Sequence, residues 1–265
     1  MQTVIVRYEG ALAQSVEREI PGATTVELFN EYGVVTIPDG QLETLRALPE
    51  VEYIELPKRL YFDLEQGRRV SCLSSTTLPD QNVEGLQGKG VLVGIIDSGI
   101  DYSHPDFIRD DGTSRIAFCW DQSGEQEGRA PEGFSIGVEY TAEDFDKALR
   151  MPEESRWEIV AVDDRVLGHG TAVVAAGNGR GSVSRRNRGI AAESDLIIVK
   201  LAGRDDGFPR TTEVMEGLDY VLRKAIRLQQ PIAVNLSFGN NYGSHDGATL
   251  LETYLDNVSS YWKSC

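Results

Sequence analysis

The hydrophobic positions change their period along the chain, and the change divides it in two. Val4-Ile5-Val6-Arg7-Tyr8 reads as a strand, and residues 12–20 carry helical spacing up to Pro21-Gly22, a stop signal. Residues 25–29 and 33–37 are β-rich runs on either side of Asn30-Glu31-Tyr32, which predicts a hairpin. Leu42, Leu45 and Leu48 recur at one-sided helical spacing until Pro49, and residues 51–56 alternate as a last strand. The order βαββαβ predicts a ferredoxin-like α+β unit over residues 1–60.

From about residue 62 to 88 the chain turns polar, with Gly67, Ser71, Ser74, Ser75, Pro79 and Gly85, and reads as a linker or surface arm over 61–85. Beyond it the apolar runs become continuous, as strands buried on both faces of a parallel sheet require. Residues 91–96, 195–201 and 232–238 are such runs, with a small-residue helix starting at His169 and a long amphipathic helix over 211–228. Strands joined by helices predict an α/β domain over 86–265. The stretch 121–156, rich in Glu, Gly and Pro, reads as an insertion between strands.

Charge then narrows the function classes. Lys and Arg total 26 against 42 Asp and Glu among 265 residues, a net charge of −16. Such a chain repels phosphate backbones and anionic membranes, and its one basic cluster, 180–188, is short and interrupted, so neither nucleic acid nor membrane is expected as a partner. No run approaches the roughly 18 apolar residues that cross a bilayer. The first residues lack a basic region followed by an apolar stretch, so synthesis in the cytoplasm without a Sec signal is expected. Cys72, Cys119 and Cys265 are too few and scattered for a disulfide framework or a zinc ribbon. His104, His169 and His245 lack ligand-like spacing.

Two motifs carry chemistry. Gly94-Ile95-Ile96-Asp97-Ser98-Gly99 ends a buried strand in an aspartate, where α/β folds place reactive groups, although Asp-Ser-Gly is also a common turn. Gly168-His169-Gly170-Thr171 opens a helix with an imidazole between glycines, free to approach another strand end. A lone histidine is more often structural. Together they make two thirds of a nucleophile–base–orienter system.

These residues, with His104-Pro105-Asp106, the segment 189–201 and Asn235-Leu236-Ser237-Phe238-Gly239, resemble the subtilisin-like serine proteases over residues 91–239. The resemblance implies that Asp97 orients His169, that His169 is the general base for a serine, and that Ser237, Phe238 and Gly239 bind an extended peptide as an added strand. It also implies a role for the first 60 residues, as a prodomain that chaperones folding and inhibits the cleft. The prodomain is thus a partner in its own right, beside a protein or peptide substrate. The arm is expected to carry the autocleavage site between Tyr61 and Ser75.

The departures are informative. The family's Gly-Thr-Ser-x-Ala nucleophile motif and its oxyanion-hole Asn are absent from these residues. The chain therefore reads as the front part of a longer zymogen, inactive by itself, whose serine lies beyond Cys265. A catalytically inactive pseudoprotease that acts as a regulatory binding protein is the alternative. Ala172 replaces the second histidine of secreted members, which resembles the clostridial germination-type branch and carries the expectation of spore association. No metal site or cofactor is expected. Structural calcium stays open through Asp106, whose family position can be a ligand, but the loop 180–188 is basic where a hard cation needs oxygens.

Overall fold

A computed structural model describes residues 1–59, 61–62, 87–126, 128–164, 168–182, 189–203, 208–239 and 246–259. The first unit is built from β1 (Gln2–Tyr8), α1 (Leu12–Glu19), β2 (Thr24–Leu28), β3 (Tyr32–Ile37), α2 (Leu42–Arg46) and β4 (Val51–Glu55). Its strands form one antiparallel sheet in the order β2-β3-β1-β4, the ferredoxin-like arrangement. One face of this sheet closes over the helices: Val4, Val6, Val35 and Ile37 pack with Leu12, Val16, Ile20 and Leu45. The other face, with Ile5, Val26, Leu28 and Val34, is buried as well. A sheet covered on both faces loses the usual in–out alternation, which is why Val4-Ile5-Val6 is apolar without a break.

What covers that second face belongs to the larger unit. Its sheet runs β10 (Ile232–Leu236), β6 (Leu92–Asp97), β9 (Asp195–Lys200), β7 (Ile116–Asp121), β8 (Val138–Thr141), parallel except for the β7–β8 pair. Among the described residues the helices are α3 (Ala142–Leu149), α4 (His169–Asn178), α5 (Thr211–Leu228) and α6 (Leu250–Ser259). The stretch expected as an insertion is therefore partly structural: it supplies the edge strand β8 and then α3, where Asp144 accepts the Thr141 N–H at 2.9 Å as a helix-start cap.

Helix α5 reads as amphipathic, yet its polar side is buried too, at Glu213, Glu216, Asp219 and Lys224. One side lies on the parallel sheet, and the other meets α6 and the first unit. Leu218, Tyr220, Leu222 and Tyr254 share one core with Ile5, Leu28 and Tyr32. Polar pairs fix the alignment. Phe29 N–H donates to Asp219 Oδ1 at 2.9 Å, Tyr32 Oη–H to Thr253 Oγ1 at 2.8 Å, and Leu250 N–H, at the start of α6, to Glu55 Oε2 at 3.0 Å. The tight turn after Phe29 holds Asn30 and Glu31 at φ of 58° and 66°, a left-handed geometry that side-chain-bearing residues adopt only where surroundings enforce it.

After β4 the chain exchanges two bonds with the start of α5: Lys58 N–H to Thr211 Oγ1 (3.1 Å) and Thr211 N–H to the Lys58 carbonyl (3.0 Å). It then forms β5 (Tyr61–Phe62), which pairs antiparallel with β11 (Phe238–Gly239). The rest of the expected arm, 63–85, and hence most of the expected cleavage region, lies outside the described residues, as do Cys72 and Cys265.

Candidate active site

The parallel sheet delivers the aspartate. β6 is buried at every position but Val93 and ends at Asp97, whose side chain is fully enclosed. Facing it, α4 begins at His169, only 2% exposed, after Gly168 in the left-handed conformation at φ 64°. The helix can come this close because Gly170 has no side chain: a Cβ there would collide with the Gly99 carbonyl. The result is a bond of 2.6 Å between His169 Nδ1 and Asp97 Oδ1. The same carboxylate oxygen accepts the Ser98 N–H at 2.7 Å, while the buried Oδ2 has no hydrogen-bond partner among the described residues.

Burial raises the Asp97 carboxyl above its ordinary range, against the opposing pull of the hydrogen bonds from His169 and Ser98. An enclosed carboxylate with one vacant oxygen gains most when a positive charge forms beside it. That is the condition for an orienting group next to a histidine that takes up a proton.

The three residues expected to bind peptide, Ser237, Phe238 and Gly239, lie near the same end of the sheet. Leu236 is in register with Ile96, so Ser237, the next residue, sits beside the Asp97 end of the sheet. Its Oγ is held at 2.6 Å by Asn235 Nδ2. Phe238 and Gly239 form the strand paired with Phe62 and Tyr61, so the cleft edge binds extended backbone in this structure, and the backbone it binds is the chain's own.

Sequence reasoning passed over one residue of the site. Asp164, 6% exposed, accepts the Ser98 hydroxyl at 2.6 Å through Oδ1 and the Thr171 N–H at 2.7 Å through Oδ2. Its position five residues before His169, ahead of a helix start, was the available signal, since carboxylates favour helix N-termini.

The metal alternative meets a poor donor set. Asp106 Oδ1 accepts the Ser182 N–H at 2.6 Å. Nearby backbone carbonyls of Asp106, Asn178 and Ser194 all receive the Arg115 guanidinium, a buried cation whose pKa burial lowers to about 10. Among the described residues no three His, Cys, Asp or Glu side chains are grouped to hold a metal ion. Residues 183–188 of the basic loop lie outside the described residues. No helix among them is long and apolar enough to cross a membrane.

Comparison with known proteins identifies the family. The solved CspB protease of Clostridium perfringens is 32% identical and superposes with a TM-score of 0.58 over 68% of this chain and 36% of that one. The minor extracellular protease Vpr of Bacillus subtilis is 26% identical over 65% of this chain and 16% of its own length. The major intracellular serine protease of the same organism is 24% identical over 56% of this chain and 35% of its own. The chain thus spans well under half of each of these relatives. Residues 2–58 match the Csp protease B prodomain, and residues 88–263 match the subtilase family model. The chain belongs to the subtilase family, with a CspB-type prodomain ahead of its subtilase domain.

Proposed function

We propose that this chain is the prodomain and leading part of a serine endopeptidase zymogen. Its Asp97 and His169 serve a serine that lies beyond residue 265. The observation that carries this reading is the enclosed 2.6 Å pair between His169 Nδ1 and Asp97 Oδ1, beside a strand edge that already binds a peptide backbone. With Nδ1 held by the carboxylate, the remaining ring nitrogen is the one that takes the proton of an attacking hydroxyl, and Asp97 stabilises the imidazolium that forms. The proton then passes to the leaving amine, and water repeats the cycle on the acyl-enzyme.

Three features support placing the nucleophile elsewhere than Ser237. Ser237 is engaged by Asn235, lies on the peptide-binding edge, and lacks a Gly-Thr-Ser-x-Ala context. The relatives named above are two or more times longer than the part this chain matches. Finally, a groove of about 280 Å³ runs between the β6–β10 face and α4, lined by Val93, Ile95, Val173, Gly177, Ala233 and Asn235. In this reading the groove is a seat for a further segment that completes the cover of this face.

In this reading the β5–β11 pairing is autoinhibition. The arm occupies the strand position that a substrate would take, tethered by the prodomain sheet packed on α5 and α6. The germination-type branch gives the substrate class, another protein cleaved at a specific site. Synthesis without a Sec signal and spore association go with that placement.

The test is hydrolysis of a denatured protein substrate by the full-length protein, with His169→Ala as control. Hydrolysis reduced at least about 10³-fold by the substitution is expected. A folded, processed protein with no hydrolysis would shift the function to binding without turnover.

A further inference from the structure

The chemistry described above uses Asp97 and His169, but nothing in it explains why those two groups, 72 residues apart, meet at hydrogen-bonding distance. Neither β6 nor α4 fixes the gap alone: one belongs to the sheet, the other packs on it, and the joint between them is loop. The bonds that cross this joint converge on three side chains, Ser98, Asp164 and Thr171. Ser98 follows Asp97 directly. Its hydroxyl donates to Asp164 Oδ1 at 2.6 Å and accepts the Gly170 N–H, next to His169, at 3.0 Å. Asp164 Oδ2 accepts the Thr171 N–H at 2.7 Å, and Thr171 Oγ1 accepts the Asp101 N–H at 2.8 Å. The loop after the aspartate and the first turn after the histidine are thus laced together, with a buried carboxylate at the centre.

We propose that Asp164, acting through Ser98, is the positioning residue of the catalytic pair. It touches neither His169 nor Asp97 in the bonds given above. It locks the Ser98 hydroxyl in the orientation that receives the Gly170 N–H, and it anchors the first turn of α4 by a charge-assisted bond at the positive end of the helix. Removing it frees the Ser98 rotor and leaves the Thr171 N–H without its acceptor, so His169 drifts relative to Asp97. Misplacement by about 1 Å costs on the order of 10²-fold in rate. The inference rests on the proposed peptidase function for its kinetic consequence, but not for its structural one.

The test therefore has two independent readouts in the full-length protein. The first is the strongly deshielded proton of the short His169 Nδ1–H···Asp97 bond in one-dimensional NMR. The second is kcat and KM on a peptide substrate. With Asp164→Ala, the resonance is expected to broaden or vanish, and kcat to fall about 10- to 100-fold with KM within about twofold. Ser98→Ala is expected to give a smaller loss, and the double variant to be no worse than Asp164→Ala alone, because both changes cut one linkage. Asp164→Asn keeps an acceptor for Thr171 N–H and should recover most of the loss. If Asp164→Ala lowers Tm but leaves the resonance and kcat unchanged, or if the two losses multiply, Asp164 is merely structural and the proposal is wrong. If wild type has no peptidase activity, the functional reading fails. A resonance lost with Asp164→Ala and regained with Asp164→Asn would then still establish the positioning role.

Discussion

Among the described residues Asp97 and Asp219 are fully buried, and they are satisfied very differently. Asp219, on α5, is saturated: Oδ1 accepts from Phe29 N–H and Tyr254 Oη–H, and Oδ2 from Arg223 Nε at 2.5 Å. Asp97 takes the His169 and Ser98 N–H bonds on one oxygen, and among the described residues no hydrogen-bond partner reaches the other. Burial raises both carboxyls. The difference lies in what balances the cost. At Asp219 part of the cost is offset on folding, by partners drawn from the prodomain and two helices, so the residue is a joint. At Asp97 fewer partners oppose it, and under the proposed mechanism the remainder is offset when a charge develops on His169.

The contrast can be broken at its strongest point first. Asp97→Asn removes the charge and keeps the shape. The expected result is a loss of about 10⁴-fold in kcat, the general size for an orienting carboxylate. Stability should move the other way. A carboxyl raised in the native state binds its proton more tightly there than in the unfolded chain. Its favourable contribution is therefore complete below the ordinary carboxylate range and lost as pH rises through the raised native value. At neutral pH the ionised form is a cost, and the amide removes it. A Tm higher by about 2–4 °C, the shift about 1 kcal/mol produces in a domain of this size, is expected by calorimetry at pH 7 and should shrink in mild acid. A lower Tm at pH 7 would place Asp97 in the same class as Asp219.

Asp219→Ala should have the opposite signature, with stability lost and the catalytic pair untouched. It strands the Phe29 N–H and the Arg223 guanidinium at a cost of about 2 kcal/mol, less than for a fully dry pair because Arg223 stays partly solvated. Hydrogen exchange at Phe29 and the neighbouring turn should quicken about 30-fold, with the amides of α4 unchanged. Smallest of the three, Glu55→Ala removes the prodomain carboxylate that receives Leu250 N–H at the start of α6. About 1 kcal/mol, or fivefold faster exchange in the first turn of α6, is expected.

The same contrast explains what could be read from the sequence. Asp97 and His169 were legible because their chemistry is local: a buried run ending in Asp, and a glycine-flanked His at a helix start. The prodomain strands were legible because short β-rich runs and the Pro21-Gly22 and Pro49 stops are short-range signals. Asp219 was not legible, since on a helix with an apolar stripe it occupies an ordinary polar-face position, and it is buried where the prodomain and α6 meet that helix. Asp164 was hidden for the same reason, because its partners Ser98 and Thr171 lie on either side of it in sequence and meet only in the fold. The edge strand β8 is four residues long and gains its identity from pairing with β7, so a stretch rich in Glu, Gly and Pro looked like loop throughout.

The central claim is that Asp97 and His169 activate a serine that these residues do not contain. Reaction of the full-length protein with a fluorophosphonate, followed by peptide mapping of the adduct, tests it directly. A single adduct on a serine beyond residue 265, lost in His169→Ala, is the expected result. An adduct on Ser237, or none on a folded and processed protein, would contradict the account.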